Sequence, residues 1–247
     1  QRLAAEAVGA DPYAPSVRPL LQLAGKVTEE DSHLEYVTAM ALRDQLRDGE
    51  VLKYVLEERW SDDEESSLMR ALVGVRSVLA ARFLFRRIRS SGDEKAVEPA
   101  QMKHIARNLV EEDFDGLVKW GRHKAWVSVE AEHTAFRSLL RGARGREDEA
   151  GSLLHPWGRN LVQRLMAYPD DKRRGQGAVL AGSLRWRRVA PELVRIFTSD
   201  KASVGFRLDA AQALTAIDET RYSPILARAV RESSRLPLLR NGILGVL

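Results

Sequence analysis

A helix whose small and apolar residues wrap most of its circumference must be packed on several sides, and Ser203 to Asp218, SVGFRLDAAQALTAID, reads as such a helix. Its frame is Arg207, two spacers, Ala210-Ala211, one spacer, Ala213-Leu214. The frame recurs earlier in the chain at Arg174, with Gly177, Ala178, Leu180 and Ala181 in the matching places. It recurs at the same distance further on, at Arg240, with Ile243, Leu244, Val246 and Leu247. A fixed stride of about 33 residues is the mark of stacked helical repeats, in which each unit buries its faces against its neighbours.

Followed from the start, the frame falls at Gln1, Glu35, Leu68 and Gln101, at nearly the same stride. At Gln101 it weakens, because His104 and Ile105 replace Ala-Ala and Asn108 replaces Leu. Between Gln101 and Arg174 the chain runs longer than two strides, and Arg141 to Gly151, RGARGREDEAG, is the natural place for the surplus as an exposed loop before a helix over Leu153 to Tyr168. An irregular insertion is therefore expected near residues 141–158. Each first helix should be followed by a second, at Val17–Ala24, Val51–Trp60, Val78–Ile88 and Phe114–Arg122 in the first part of the chain. Asp31 or Ser32, and Ser61 ahead of four acidic residues, are the cap signals. Pro191 and Pro224 fall near the starts of the later second helices. The expected fold is all-α, a right-handed superhelical solenoid of about seven helix pairs spanning residues 1–247 as one domain.

Composition narrows the chemistry. There is no Cys, which removes disulfides, thiolate nucleophiles and Cys-ligated zinc. The 39 basic and 35 acidic side chains leave a net charge of +4, which by itself does not demand nucleic acid. No apolar run reaches the roughly 18 to 20 residues that span a bilayer, so no membrane insertion is expected. The opening residues carry no signal-peptide pattern, and the chain starts and ends within copies of the repeat, so an excerpt of a longer protein is expected.

The Arg-x-x-Ala-Ala-x-Ala-Leu pattern resembles the short bacterial HEAT-like repeats, also called phycobilisome-lyase-type repeats. The likeness covers most of the chain and is weakest between His104 and Tyr168. More narrowly, His33 to Asp48, HLEYVTAMALRDQLRD, resembles part of the helical repeat region of planctomycete-type proteins that join a dehydrogenase domain to a c-type haem domain. That likeness implies an exported or periplasmic multidomain protein in which this region is a spacer or docking arm. The Cys-His pair that attaches haem is absent, so no cofactor is expected here.

The five His residues show no i, i+4 pairing and no His-Glu dipeptide, and no nucleophile elbow or phosphate loop is present. Neither a metal site nor an enzyme is expected, although HEAT-type glycosylases and chromophore lyases belong to the wider group that the pattern resembles. The candidate site is instead a series of cations at equal offsets on the second helices: Arg89, Arg122, Arg195 and Arg228 at one offset, Lys53, Arg86 and Lys119 at another. In HEAT-like proteins the second helices commonly line the concave surface, so Arg86, Arg89, Lys119, Arg122, Arg195 and Arg228 are the candidate contacts to an acidic protein or to another domain of the same chain. Against this stands the reading that Arg near a helix C-terminus serves terminal carbonyls and acidic neighbours. Lys172-Arg173-Arg174 and Arg185-Trp186-Arg187-Arg188 are the densest basic clusters, and Trp186 among them keeps nucleic-acid binding open as the alternative.

Overall fold

The computed structural model describes residues 2–27, 31–91, 97–144, 146, 148–232, 241–242 and 245. Among them the regular structure is thirteen α-helices and two short 3-10 turns, with no strand. The frame residues from Arg240 onward, and most of the polar linker from Ser90 to Glu94, lie outside the described residues. The chain divides into two compact units, Gln1–Arg146 and Glu147–Leu247.

The first unit holds α1 (Arg2–Ala10), α2 (Val17–Lys26), α3 (Ser32–Arg47), α4 (Gly49–Glu57), α5 (Asp62–Leu72), α6 (Val78–Ser90), α7 (Pro99–Asn108), α8 (Glu111–His123) and α9 (Val129–Gly142). Local chemistry sets where these helices begin. Asp31 rather than Ser32 caps α3, its Oδ1 accepting from the Leu34 N–H at 3.0 Å. Asp48 ends α3 and caps α4, accepting from the Glu50 and Val51 N–H groups at 3.0 Å each. Ser61 and Glu64 form a reciprocal capping box at α5. Ser61→Ala is expected to cost about 1 kcal/mol, read as a lower urea midpoint with an unchanged slope.

Packing follows the stride. α1 lies beside α3 and α3 beside α5, while α4 lies beside α6 and α6 beside α8. One contact recurs in the same register: Gly9 against Ala41 and Arg43 against Gly74 here, Gly182 against Ala213 in the second unit. Each joins the eighth residue after one frame position to the sixth after the next. Cβ atoms added at Gly9 and Gly182 would come within 3.0 and 2.7 Å of the facing Ala Cα, so these helices meet backbone to backbone. A second recurrence uses Trp: the Nε1–H of Trp60 donates to the Val55 carbonyl and that of Trp126 to the Gly121 carbonyl, both at 2.9 Å and two strides apart. Each closes the end of a second helix.

The departure at Gln101 has a structural counterpart. His104 and His133, on the closely packed α7 and α9, are 6% and 4% exposed. Among the described residues the Nε2 atom of each has no hydrogen-bond partner. α9 approaches α7 through Gly142, where an added Cβ would stand 2.2 Å from the Lys103 carbonyl oxygen. The expected loop over Arg141 to Gly151 is shorter than the sequence suggested, since α9 runs to Gly142 and the next helix begins at Asp148. Within that loop Arg146 folds back, its guanidinium donating to the carbonyls of Ala106 and Leu109 and to Glu111 while stacking 4.5 Å from the Phe114 ring centroid. It thus serves carbonyls that the end of α7 leaves unmatched.

The second unit holds α10 (Asp148–Met166), α11 (Asp171–Ser183), α12 (Ala190–Thr198) and α13 (Val204–Glu232). α10 passes through Pro156 because Leu154, Trp157, Leu161 and Leu165 form a buried stripe at helical spacing, and α10 packs along α11. α13 is two helices end to end. Asp218 breaks it with φ −163° and ψ 89°, and its Oδ1 accepts from the Arg221 N–H at 3.1 Å. Pro224 therefore lies well beyond the break rather than at the start of the second segment. The frame residue Arg207, 9% exposed, donates from Nε to the Phe197 carbonyl at 2.9 Å, closing the end of α12. Among the described residues no helix is long and apolar enough to cross a membrane.

Candidate binding face

α6 and α8 run in the same direction. Arg82, early in α6, pairs with Asp113 at the start of α8 at 2.5 Å, and Phe85 packs edge-on to Trp120 further along, ring centroids 5.8 Å apart. The C-terminal halves of the two helices therefore lie side by side and bring Arg86, Arg89, Lys119 and Arg122 to one end of the pair, all exposed. The macrodipole favours cations there, which is the structural explanation for such a cluster.

In its direct form that explanation has the Arg side chains donating to terminal carbonyls, and at the carbonyls of Arg87, Ile88, Lys119 and Gly121 other donors do so. On α6 the hydroxyl of Ser90 donates to the Arg87 carbonyl and that of Ser91 to the Ile88 carbonyl, at 3.0 and 2.9 Å. On α8 Nδ1 of His123 lies 2.8 Å from the Lys119 carbonyl oxygen and Trp126 donates to Gly121. Arg86, Arg89 and Arg122 have no hydrogen-bond or ion-pair partner among the described residues. Lys119 is paired with Asp115 one turn back at 2.6 Å. On α4 Lys53 is likewise paired with Glu50 at 2.7 Å, and that hydrogen bond holds its ammonium pKa above the usual lysine value. The face is thus most cationic on α6 and weaker on α4 and α8, where Glu50, Glu57, Glu112 and Asp115 interleave. Arg82 extends the α6 stripe by one turn; its i, i+4 spacing from Arg86 was the signal in the sequence.

The other two candidates belong to the second unit. Arg195 is exposed on α12, unpaired among the described residues, and lines a cavity of about 350 Å³. Arg228 is exposed in the second segment of α13. Of the dense basic clusters, Arg173 is held by Asp170 and stacks on Tyr168, while Arg174 bridges to Asp171 and stacks on Phe206. Trp186 is half-buried, with the Arg159 guanidinium 5.9 Å from its ring centroid.

No family model matches the chain, and comparisons with curated proteins and with solved structures also give no match. Among the described residues no three His, Asp or Glu side chains come together as metal ligands.

Proposed function

We propose that this chain is a non-catalytic recognition module, a right-handed solenoid of about seven HEAT-like helix pairs, which binds an acidic protein or another domain of its own chain through cations on its second helices. Arg86, Arg89 and Arg122 are the principal contacts in the first unit, with Lys119 released from Asp115 as an acidic group arrives; Arg195 and Arg228 act in the second. The reading is carried by one observation: Arg86, Arg89 and Arg122 are exposed and unpaired among the described residues, while serine, histidine and tryptophan donors serve the nearby carbonyls of Arg87, Ile88, Lys119 and Gly121. An exposed cation without an internal partner keeps its charge for an incoming ligand, and contacts of this kind weaken with salt.

The test is fluorescence anisotropy with a labelled glutamate 20-mer at low and at physiological salt. The triple variant Arg86→Glu, Arg89→Glu, Arg122→Glu is expected to bind at least tenfold more weakly, with an unchanged melting curve. Unchanged affinity removes these residues from the site. A mixed-sequence oligonucleotide run in parallel tests the alternative: nucleic-acid binding tighter than that of the glutamate peptide, with a steep salt slope, would replace the protein-binding reading.

A further inference from the structure

The second unit carries two cavities that share one residue. The first, of about 350 Å³, is lined by Val162, Met166, Trp186 and Val189, with Arg188 at its rim and Glu192 beside it. The second, also about 350 Å³, is lined by Arg174, Arg195 and Lys201 over Ile196 and Phe206, with Asp171 and Glu192 alongside. Glu192 belongs to both, so the cavities lie one after the other along the exposed side of α12. The first offers an aromatic and aliphatic lining of the kind that accepts an apolar side chain. The second offers three cations, of which Arg174 is committed to Asp171 at 3.4 Å while Arg195 and Lys201 have no side-chain partner among the described residues.

A strained backbone lies at the edge of the first cavity. Arg185 has φ 47°, the left-handed region that favours glycine. It ends α11 in a Schellman turn, its own N–H bonding to the Gly182 carbonyl and that of Trp186 to the Ala181 carbonyl, at 2.9 and 3.0 Å. That turn delivers Trp186 to the cavity wall next to Arg188.

We infer that this side of α12 is a short-peptide site that reads an apolar side chain in the Trp186 cavity and a carboxylate in the Arg195 cavity. Along α12 and the turns at its two ends, Arg188, Val189 and Glu192 of the first cavity and Glu192, Arg195, Ile196 and Ser199 of the second are centred about six positions apart, which at about 1.5 Å of rise per residue separates them by about 8 to 9 Å. An extended peptide advances about 3.3 Å per residue, so the ligand carries its apolar and acidic residues two to three positions apart. Charge complementarity selects the acidic residue: Arg174, Arg188, Arg195 and Lys201 outnumber Asp171 and Glu192 around the two cavities. The inference rests on the proposed reading of the module as an acid-binding one and specifies the ligand in its second unit.

The experiment is an NMR titration of the full chain with a ten-residue Gly-Ser peptide bearing one phenylalanine and, three positions later, one glutamate. The expected result is shifts confined to α12, its flanking turns and the cavity-lining residues of α10, α11 and α13, and an affinity at least fivefold above that of the same peptide with alanine in place of phenylalanine. Trp186→Ala and Arg195→Glu are each expected to weaken binding at least fivefold, and Lys26→Glu, at an exposed position on α2, to leave it unchanged. Arg195 is exposed, so its reversal keeps the site testable even where Trp186→Ala perturbs the fold. Equal binding of the two peptides, or no effect of Arg195→Glu, overturns the inference. If a glutamate 20-mer still binds in those cases, the general acid-binding reading survives; if neither peptide nor 20-mer binds, both fail.

Discussion

Gly142→Ala is expected to destabilise the protein by about 2 to 3 kcal/mol, while Gly116→Ala, the same change in a neighbouring helix, is expected to stabilise it by about 0.5 to 1 kcal/mol. The two glycines differ in what a methyl group would meet. At Gly142 it would stand 2.2 Å from the Lys103 carbonyl oxygen and 2.8 Å from the Ala106 Cβ, so α9 must retreat from α7 or bend. At Gly116 there is nothing within 4 Å, and only the entropy cost of a helical glycine is relieved. Urea denaturation of the two variants beside the parent gives the sign directly. Equal midpoints would mean that α7 and α9 do not meet where Gly142 places them.

Mild acid is expected to weaken the same region through His133. Burial among apolar neighbours, with Arg137 adding a like charge and Glu130 opposing only in part, lowers its pKa from the ordinary histidine value to about 4. A group depressed in the folded state contributes its full share of stability above its unfolded pKa, near 6.5, and loses it as the pH falls towards 4, because the unfolded chain takes up the proton first. The loss between pH 7.5 and pH 4.5 is about 2 to 3 kcal/mol, at 1.36 kcal/mol per pKa unit. His104 on α7 is shifted down by burial too, with the Val73 backbone opposing it in part and the nearby Arg107 adding to the effect. Carboxylates also titrate in this window, so the comparison is with His133→Leu, whose stability should fall by about 2 to 3 kcal/mol less than the parent's over the same interval. Parallel pH profiles would show that His133 is solvated when folded.

The all-helical class and several helix starts could be read from the sequence because they rest on short-range chemistry. Asp31 and Ser61 each cap a helix through the backbone just ahead of them, and small residues of the frame such as Ala41 and Ala213 mark where helices touch. What could not be read depends on contacts far along the chain. Arg146 looked like loop filler, yet it closes the end of α7, far earlier in the sequence. Arg207 stood in the sequence only as the first residue of the repeat pattern, and that it is buried on the Phe197 carbonyl depends on the fold. The break at Asp218 inside an otherwise helical stretch needed the backbone itself.

The same division applies to the candidate face. Equal offsets placed Arg86, Arg89, Lys119 and Arg122 on second helices, and the parallel pairing of α6 with α8 gathers them. Which cations are unpaired was not legible, because that turns on whether Ser90, Ser91, His123 and Trp126 reach the helix-end carbonyls first. The companions of Arg195 were not legible for a related reason: Arg174 and Lys201 come to its cavity from the start of α11 and from the turn after α12.

Hydrogen exchange of the full chain with and without the glutamate 20-mer asks most directly whether the second helices meet the partner. The account predicts slower exchange in the C-terminal halves of α6 and α8 and around α12, with α1, α3 and α5 unchanged. Protection confined to α1, α3 and α5, with α6 and α8 exchanging as they do in the free protein, would contradict it.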